Sequence, residues 1–174
     1  MSSKLPTREQ ARELLQRNGC PSKVIRHCEE VANVALDVAH ELQNKGVKVD
    51  LQLVEAGALL HDIGRTKTHS VDHGLAGSQI AEAADVPESV VNIIKRHVGG
   101  GIISKEAREF GWPEDNYVPV TLEEKIVCYA DKLIDKSKRV SIDVEIESLN
   151  KQGFTQAAER IRKLHEEITS LINS

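Results

Sequence analysis

Residues 57–65 read GALLHDIGR, and this stretch organises the interpretation of the whole chain. Small and apolar residues lead directly into His61 and Asp62, at a point where burial is expected. A buried imidazole beside a buried carboxylate must be paired, hydrogen-bonded or bound to a metal ion. The stretch therefore predicts a polar site inside the protein whose other members come from elsewhere in the chain.

The bulk composition describes an ordinary globular protein. The 174 residues are 40% hydrophobic and 29% charged, with a net charge of −4, which predicts one domain over 1–174. The acidic balance makes a nucleic-acid partner unlikely on electrostatic grounds. The opening MSSKLPTREQ is not an apolar leader, and no segment approaches ~18 uninterrupted apolar residues, so a cytoplasmic protein with no membrane partner is expected. The three cysteines show no CxxC spacing and are interpreted as small core residues in a reducing compartment.

Helical periodicity dominates the chain and predicts an all-α fold, a compact helical bundle. Capping boxes are expected at Thr7 with Gln10 and at Thr121 with Glu124, and a break is expected near Gly153. The predicted helical segments are 7–18, 21–46, 50–63, 71–84, 87–98, 104–110, 121–134 and one or two within 144–172. The last segment has an apolar stripe that is expected to pack on the bundle. The alternative is a second subunit, which would make a homodimer.

Four of these segments place polar residues on otherwise apolar faces. The residues are His27, His61 with Asp62 beside it, His97 and Asp131. Each one alone has the simpler interpretation of a hydrogen-bonded core residue. Together they indicate a metal site, because inward-facing histidines and carboxylates on separate helices are how bundle metal sites are built.

His73 adds a further candidate ligand. It stands among Gly74, Ala76 and Gly77, and small residues allow a backbone to approach a crowded centre closely. Its alternative interpretation is a surface histidine in the first turn of a helix.

The order of these residues resembles the HD superfamily of metal-dependent phosphohydrolases. Residues 61–64 spell the HDIG form of the family signature, and YADK at 129–132 supplies the downstream aspartate. The resemblance covers about 21–136, the expected metal-binding core. RHVGGGI at 96–102 and YVPVTLEEKIVCYADKL at 117–133 are also similar to small stand-alone archaeal HD hydrolases.

The resemblance implies how the ligands are shared between metal ions. It makes His27, His61, Asp62 and Asp131 the ligands of one metal. The extra His73 and His97 resemble those of the binuclear HD subset, which includes enzymes that cleave diadenosine tetraphosphate, and there Asp62 would bridge to a second ion. The chain lacks the HHE and GYP motifs of HD domains that cleave cyclic di-GMP, which disfavours that substrate.

This donor set suits one or two divalent transition-metal ions, Fe, Mn, Co, Ni or Zn. Such ions activate a water for attack on phosphorus and neutralise phosphoryl charge, so Asp62 is assigned a catalytic role. Cationic residues near the expected ligands are candidates for binding a small phosphorylated, nucleotide-like substrate. They are Arg65, Lys67, Arg96 and Lys132. His69 is the candidate general acid, and Arg65 is also placed among the catalytic residues.

Two other functions remain open from the sequence. Some binuclear HD proteins with this ligand order are mixed-valent di-iron oxygenases. A non-catalytic nucleotide-binding regulatory module is the third alternative. The leading expectation is a metal-dependent phosphohydrolase that cleaves a phosphoester or phosphoanhydride bond of a nucleotide-like substrate.

Overall fold

The computed structural model describes residues 4–174, and helices account for most of them. Met1, Ser2 and Ser3, which belong to the stretch tested above for a leader, lie outside the described residues. The described α-helices are α1 Arg8–Arg17, α2 Ser22–Asn44, α3 Leu51–Leu60, α4 His73–Ala83, α5 Glu88–Arg96, α6 Ser104–Glu109, α7 Leu122–Lys132, α8 Ile142–Lys151 and α9 Thr155–Asn173. The predicted all-α class is confirmed. No helix within 4–174 is long and apolar enough to cross a membrane.

Short irregular elements connect the helices. Two 3-10 turns cover Ile63–Thr66 and Val98–Gly100. A two-stranded antiparallel hairpin, β1 Ile134–Asp135 and β2 Lys138–Arg139, follows α7. The sequence analysis extends α7 through Ile134, and this is wrong because the helix ends at Lys132 and Ile134 pairs with Arg139.

Helix starts follow local side-chain chemistry. Thr7 and Gln10 form the expected reciprocal capping box at α1. At α7 only half of the predicted box exists: Thr121 accepts a hydrogen bond from the Glu124 amide. The Glu124 carboxylate instead accepts from the amide of Val120 and from Arg96, because a buried carboxylate is better satisfied by a guanidinium.

The main hydrophobic core surrounds α2. One face of this helix is buried along its whole length, and it packs against α3 and α7. The buried residues of α2 are Val24, Cys28, Val31, Ala32, Val34, Ala35, Val38, Ala39 and Leu42. The three cysteines are free and buried, as predicted.

A second hydrophobic cluster lies apart from the main core. It consists of Val98, Ile102, Ala107, Trp112 and Tyr117, with Val71 and Leu75 packed against it. Its aromatic members come from 112–120, which lies between the predicted helical segments 104–110 and 121–134. That segment has no helix, but Trp112 and Tyr117 are buried and Tyr117 bridges to Ile102. Below, this group is called the second hydrophobic cluster.

The C-terminal helices cover the bundle. Two helices occupy this region and break at Gly153, as the sequence predicts. Ile161 and Ile168 of α9 are fully buried. A Cβ at Gly100 would lie 3.0 Å from Ile161 Cγ1, so α9 packs closely on the turn that follows α5.

Candidate metal centre

The first half of the centre joins the ends of three helices of the main core. His27 lies near the start of α2, His61 directly follows α3, and Asp131 is in the last turn of α7. Asp131 Oδ1 lies 3.0 Å from His27 Nε2 and 3.3 Å from His61 Nε2. Residues far apart in sequence are thus within the reach of one ion.

The second half is built from His73 and His97. His73 opens α4, and His97 directly follows α5. Their Nε2 atoms are 3.1 Å apart, and both rings are buried. Both atoms also approach Asp62 Oδ1, His73 at 3.2 Å and His97 at 3.4 Å.

Asp62 connects the two halves. Its Oδ1 faces the second half, and its Oδ2 lies 3.6 Å from Nε2 of both His27 and His61. Helix α3 was expected to continue to Ile63, and this is wrong because the helix ends at Leu60. Asp62 has φ −101° and ψ 14°, outside the ideal helix. Leaving the helix at this point presents the carboxylate between the two groups of histidines.

Backbone carbonyls orient all four imidazoles in the same way. His27 Nδ1 contacts the Lys136 carbonyl at 2.6 Å, and His61 Nδ1 contacts Ala58 at 2.6 Å. His73 Nδ1 lies 2.7 Å from the Ser70 carbonyl, and His97 Nδ1 lies 2.7 Å from Ile94. A carbonyl can only accept, so each Nδ1 donates, and a neutral ring then has its lone pair on Nε2. All four of these Nε2 atoms face the centre.

These residues fit divalent transition-metal ions. Within 4–174, His61 Nε2 is a buried nitrogen without a hydrogen-bond partner. The Nε2 atoms of His73 and His97 would present lone pairs to each other at 3.1 Å. That distance suits adjacent ligands of one ion, because metal–nitrogen bonds of 2.0–2.1 Å at a right angle separate the nitrogens by about 3 Å. Imidazole and carboxylate together are borderline donors, suited to Fe, Mn, Co, Ni or Zn.

The electrostatics of the cluster also favour a cation. Burial raises the pKa of Asp62, but the positive charge favoured at His61 outweighs this effect, and the pKa lies well below its usual value. Burial lowers the pKa of His61, but the carboxylates of Asp62 and Asp131 raise that pKa well above 6.5, so positive charge at its Nε2 is favoured and a metal ion there would displace this proton. Burial lowers the pKa of His97 to about 4, so this ring is neutral and can act as a ligand.

An open cavity of about 300 Å³ leads from the surface to the first half. Four charged side chains at its mouth stand beside the candidate ligands: Arg65, Lys132, Lys136 and Glu145. Lys132 Nζ lies 2.8 Å from Asp131 Oδ2, and Arg65 Nε lies 3.6 Å from Asp62 Oδ1. Three of these four side chains are cationic, and the lining also includes the carboxylates of Asp62 and Asp131.

Three of the predicted site residues lie elsewhere. The Arg96 guanidinium contacts both oxygens of Glu124, at 2.9 and 3.1 Å, and the Asn116 carbonyl. Lys67 and His69 are exposed, and neither is among the residues that line the cavity. The His69 carbonyl accepts from Arg65 Nη1 at 2.7 Å, so its backbone rather than its ring supports the site.

The sequence analysis missed Lys136 and Glu145. Lys136 has φ +58° in the β1–β2 turn, and this conformation accompanies the contact of its carbonyl with His27. Glu145 reaches the cavity mouth from α8. The lysine-rich IDKSKR at 134–139 gives a weak signal for a turn, but no local pattern indicates that it contacts α2.

Comparison with known proteins places this geometry in a family. The HD domain model matches residues 24–134, more than half of the chain. An uncharacterized protein of Methanocaldococcus jannaschii is 43% identical over 158 residues, which cover 90% of this chain and 94% of that protein. Ribonuclease Y of Acidothermus cellulolyticus is 38% identical over 86 residues, 48% of this chain and 16% of that enzyme.

A tRNA (cytidine(56)-2'-O)-methyltransferase of Picrophilus torridus is also similar. It is 40% identical over 167 residues, 96% of this chain but only 48% of that protein. This chain thus spans about half the length of that relative, and the activity named for the whole protein is not carried over.

Solved structures agree with the fold. The HD domain of the L. monocytogenes phosphodiesterase PgpH, in complex with cyclic-di-AMP, superposes with a TM-score of 0.58 at 20% identity. The superposition covers 92% of this chain and 94% of that domain. The family model, the extended match in M. jannaschii and the shared fold lead to one conclusion: this chain belongs to the HD domain family.

Proposed function

We propose that this protein is a metal-dependent phosphohydrolase that cleaves a phosphoester or phosphoanhydride bond of a nucleotide-like substrate. One observation carries the proposal. Four imidazole Nε2 atoms and the carboxylates of Asp62 and Asp131 converge beside an open cavity whose lining includes Arg65, Lys132 and Lys136. Membership of the HD family supports the same class of reaction.

The six converging residues would hold one or two ions. His27, His61, Asp131 and Asp62 Oδ2 would hold one, and His73, His97 and Asp62 Oδ1 the other. Bound divalent ions supply an activated water and positive charge for the phosphoryl oxygens. The carbonyl contacts at each Nδ1 hold the rings in position before any ion binds, which lowers the cost of assembling the site.

Cationic side chains would bind the phosphate. Arg65 is half-buried beside Asp62, and a guanidinium can donate two parallel hydrogen bonds to a phosphate. Lys132 and Lys136 add point charges at the same mouth. Arg96 and Lys67 are left out of the proposal, because neither is among the residues that line the cavity. Asp62 is the catalytic carboxylate, whereas the exposed His69 ring has no contact that supports an acid role.

A nucleotide-like substrate fits the shape of the cavity. About 300 Å³ accommodates phosphoryl groups, and the open mouth leaves room for a nucleoside to extend outward. The structure of the L. monocytogenes PgpH HD domain in complex with cyclic-di-AMP, which has the same fold, supports a substrate of this class. Glu145 lies at the mouth and would repel a phosphate, so the neutral part of a substrate is expected on its side.

The test is phosphate release by protein loaded with Mn²⁺ or Fe²⁺, over a panel of mononucleotides, dinucleoside polyphosphates and cyclic dinucleotides. Asp62→Asn should lower kcat by about 10²-fold or more, because an amide is a weaker ligand than the carboxylate that would hold the ions. Lys136→Ala should mainly raise KM, and Lys67→Ala should match the wild type. Substrate-dependent oxygen consumption without phosphate release would replace the hydrolase by the di-iron oxygenase. Nucleotide binding without either reaction would indicate the regulatory module.

A further inference from the structure

The sole tryptophan of the chain is hydrogen-bonded to the residue that precedes a candidate ligand. Trp112 Nε1 donates to Asp72 Oδ1 at 2.6 Å, and Asp72 is followed directly by His73. Trp112 is buried, and Asp72 is exposed. A hydrogen bond from an indole to a carboxylate is charge-assisted and stronger than a neutral one.

Asp72 in turn holds the turn that orients His73. The Asp72 amide donates to Ser70 Oγ at 3.2 Å, and Ser70 Oγ donates to Asp72 Oδ2 at 3.3 Å. The Ser70 carbonyl accepts from His73 Nδ1 at 2.7 Å and from the His73 amide at 3.1 Å. A continuous series of contacts therefore runs from the indole to the imidazole that faces Asp62.

Asp72 does not use its carboxylate to cap α4. It occupies the N-cap position, but its side chain makes no capping hydrogen bond. Both carboxylate oxygens are instead directed to Trp112 and Ser70. Capping of α4 therefore does not explain the position of the Asp72 side chain.

The two halves of the centre also pack against different hydrophobic clusters. His27, His61 and Asp131 adjoin α2, α3 and α7 of the main core. Val71 and Leu75, two positions before and after His73, pack instead on the second hydrophobic cluster. Trp112 belongs to that cluster and contacts Tyr117 at a ring-centroid distance of 4.9 Å.

We infer that Trp112 and Asp72 are positioning residues for the His73 half of the centre. Their hydrogen bond sets the affinity for the second metal ion and has little influence on the first. The inference rests on the proposed binuclear centre and concerns how that centre is supported.

The experiment is a titration of the metal-free full chain with Mn²⁺, followed by calorimetry and by the EPR signal of the exchange-coupled ion pair. Trp112→Phe retains an aromatic ring but loses the Nε1 donor, and Asp72→Ala removes the acceptor at an exposed position. Both should weaken the second binding constant by up to about 10-fold, the lower end of the effect of removing an outer partner of a ligating histidine, because they act on His73 through Ser70. The first constant should stay within about twofold in both variants, since the contacts that position His27 and His61 are unchanged.

Tyr117→Phe is the matched control. It removes a hydrogen bond within the same cluster, from Tyr117 to the Pro113 carbonyl at 2.8 Å, but leaves the contact with Asp72 intact. It should leave both constants unchanged, whereas His73→Ala should abolish the coupled EPR signal.

Equal weakening of both constants, or equal effects of Trp112→Phe and Tyr117→Phe, would show a general structural role and overturn the inference. A wild type that binds only one ion would also overturn it. None of these three results would overturn the proposed hydrolase, since phosphate release is measured separately and one ion can support that reaction.

Discussion

At the scale of single residues, Asp62 is the carboxylate that lies between the two groups of histidines in the centre. A carboxylate between four imidazoles can be satisfied by protons or by metal ions, and its two oxygens face different pairs of rings. The low pKa of this carboxyl, caused by its histidine neighbours against the effect of burial, keeps it anionic and ready to bridge. His61 is fully buried, and its Nε2 has no hydrogen-bond partner among residues 4–174.

His61→Ala tests this centre directly. The variant should bind Mn²⁺ or Zn²⁺ at least about 10²-fold more weakly. The site it shares with Asp62 and Asp131 would have one ligand fewer, and the two buried carboxylates would lose a neighbour that compensates their charge. Metal content after gel filtration measures the effect. His40→Ala, at an exposed position of α2, is the matched control and should retain the metal content of the wild type. Unchanged metal content in the His61 variant would contradict the proposed centre.

A buried thiol should make the protein sensitive to alkali. Burial raises the pKa of Cys128 to about 12, and its Sγ donates to the His97 carbonyl at 3.3 Å. Above about pH 9 the unfolded chain loses this proton and the folded chain keeps it, so the unfolded state binds fewer protons and stability falls as pH rises. The stabilisation from the protonated Cys128 thiol is complete below pH 9. Between pH 9 and pH 12 the free energy of unfolding falls by about 1.4 kcal/mol per pH unit on this account.

Urea unfolding from pH 8 to pH 11 measures this dependence. In Cys128→Ala the free energy of unfolding should be lower by a constant amount, because a buried side chain is lost. It should also fall less steeply with pH than in the wild type. Parallel curves for the variant and the wild type would show that the thiol does not contribute.

At the scale of elements, the contact between the HDIG turn and α4 brings the two halves together. A Cβ at Gly64 would lie 1.8 Å from the His73 carbonyl oxygen and 2.6 Å from the Gly77 amide nitrogen. Only a residue without a side chain allows the first turn of α4 to lie this close to Asp62. Gly64 lies within the 3-10 turn that follows α3, and its lack of a side chain permits the approach of His73.

Gly64→Ala should destabilise the protein by more than about 3 kcal/mol or prevent folding, because backbone atoms of α4 cannot yield as a flexible side chain can. Gly153→Ala is the control: its Cβ meets open space, and only its φ of +84° makes it costly, by about 1–2 kcal/mol. Chemical denaturation compares the two variants. A similar loss of stability in both would mean that α4 can move away without consequence.

At the scale of the whole molecule, the centre connects most of the bundle. Its candidate ligands adjoin α2, α3, α4, α5 and α7, so a bound ion joins elements from both hydrophobic clusters. Any ligand that binds only the folded chain stabilises it by mass action.

Metal addition should therefore raise the midpoint of thermal unfolding. Free Mn²⁺ at about 100 times its Kd should stabilise the protein by about 2.7 kcal/mol per ion, which corresponds to roughly 5–10 °C for a domain of this size. Excess EDTA should reverse the shift. Scanning calorimetry of the wild type and His61→Ala checks it, and an equal shift in both would indicate binding elsewhere.

Much of the fold could be predicted from local patterns. Helical periodicity and the capping box at Thr7 predict helices correctly, and the HDIG signature identifies the HD family. The errors lie where tertiary contacts override local preference. Asp62 leaves the helical path beside four imidazoles, Ile134 pairs with Arg139, and Glu124 turns to Arg96.

The sequence by itself determined the class of fold, because helical periodicity can be recognised from spacing, and the resemblance to the HD family supplied the six candidate ligands and their division between two ions. Only the tertiary structure gave the distances from each imidazole to the two oxygens of Asp62 and decided which cations line the cavity. It excluded Lys67 and Arg96 from the cavity and brought Lys136 and Glu145 to it. The physical reason is that a side chain's direction at a helix end or turn depends on the neighbours that satisfy its polar atoms, and those neighbours are distant in the chain.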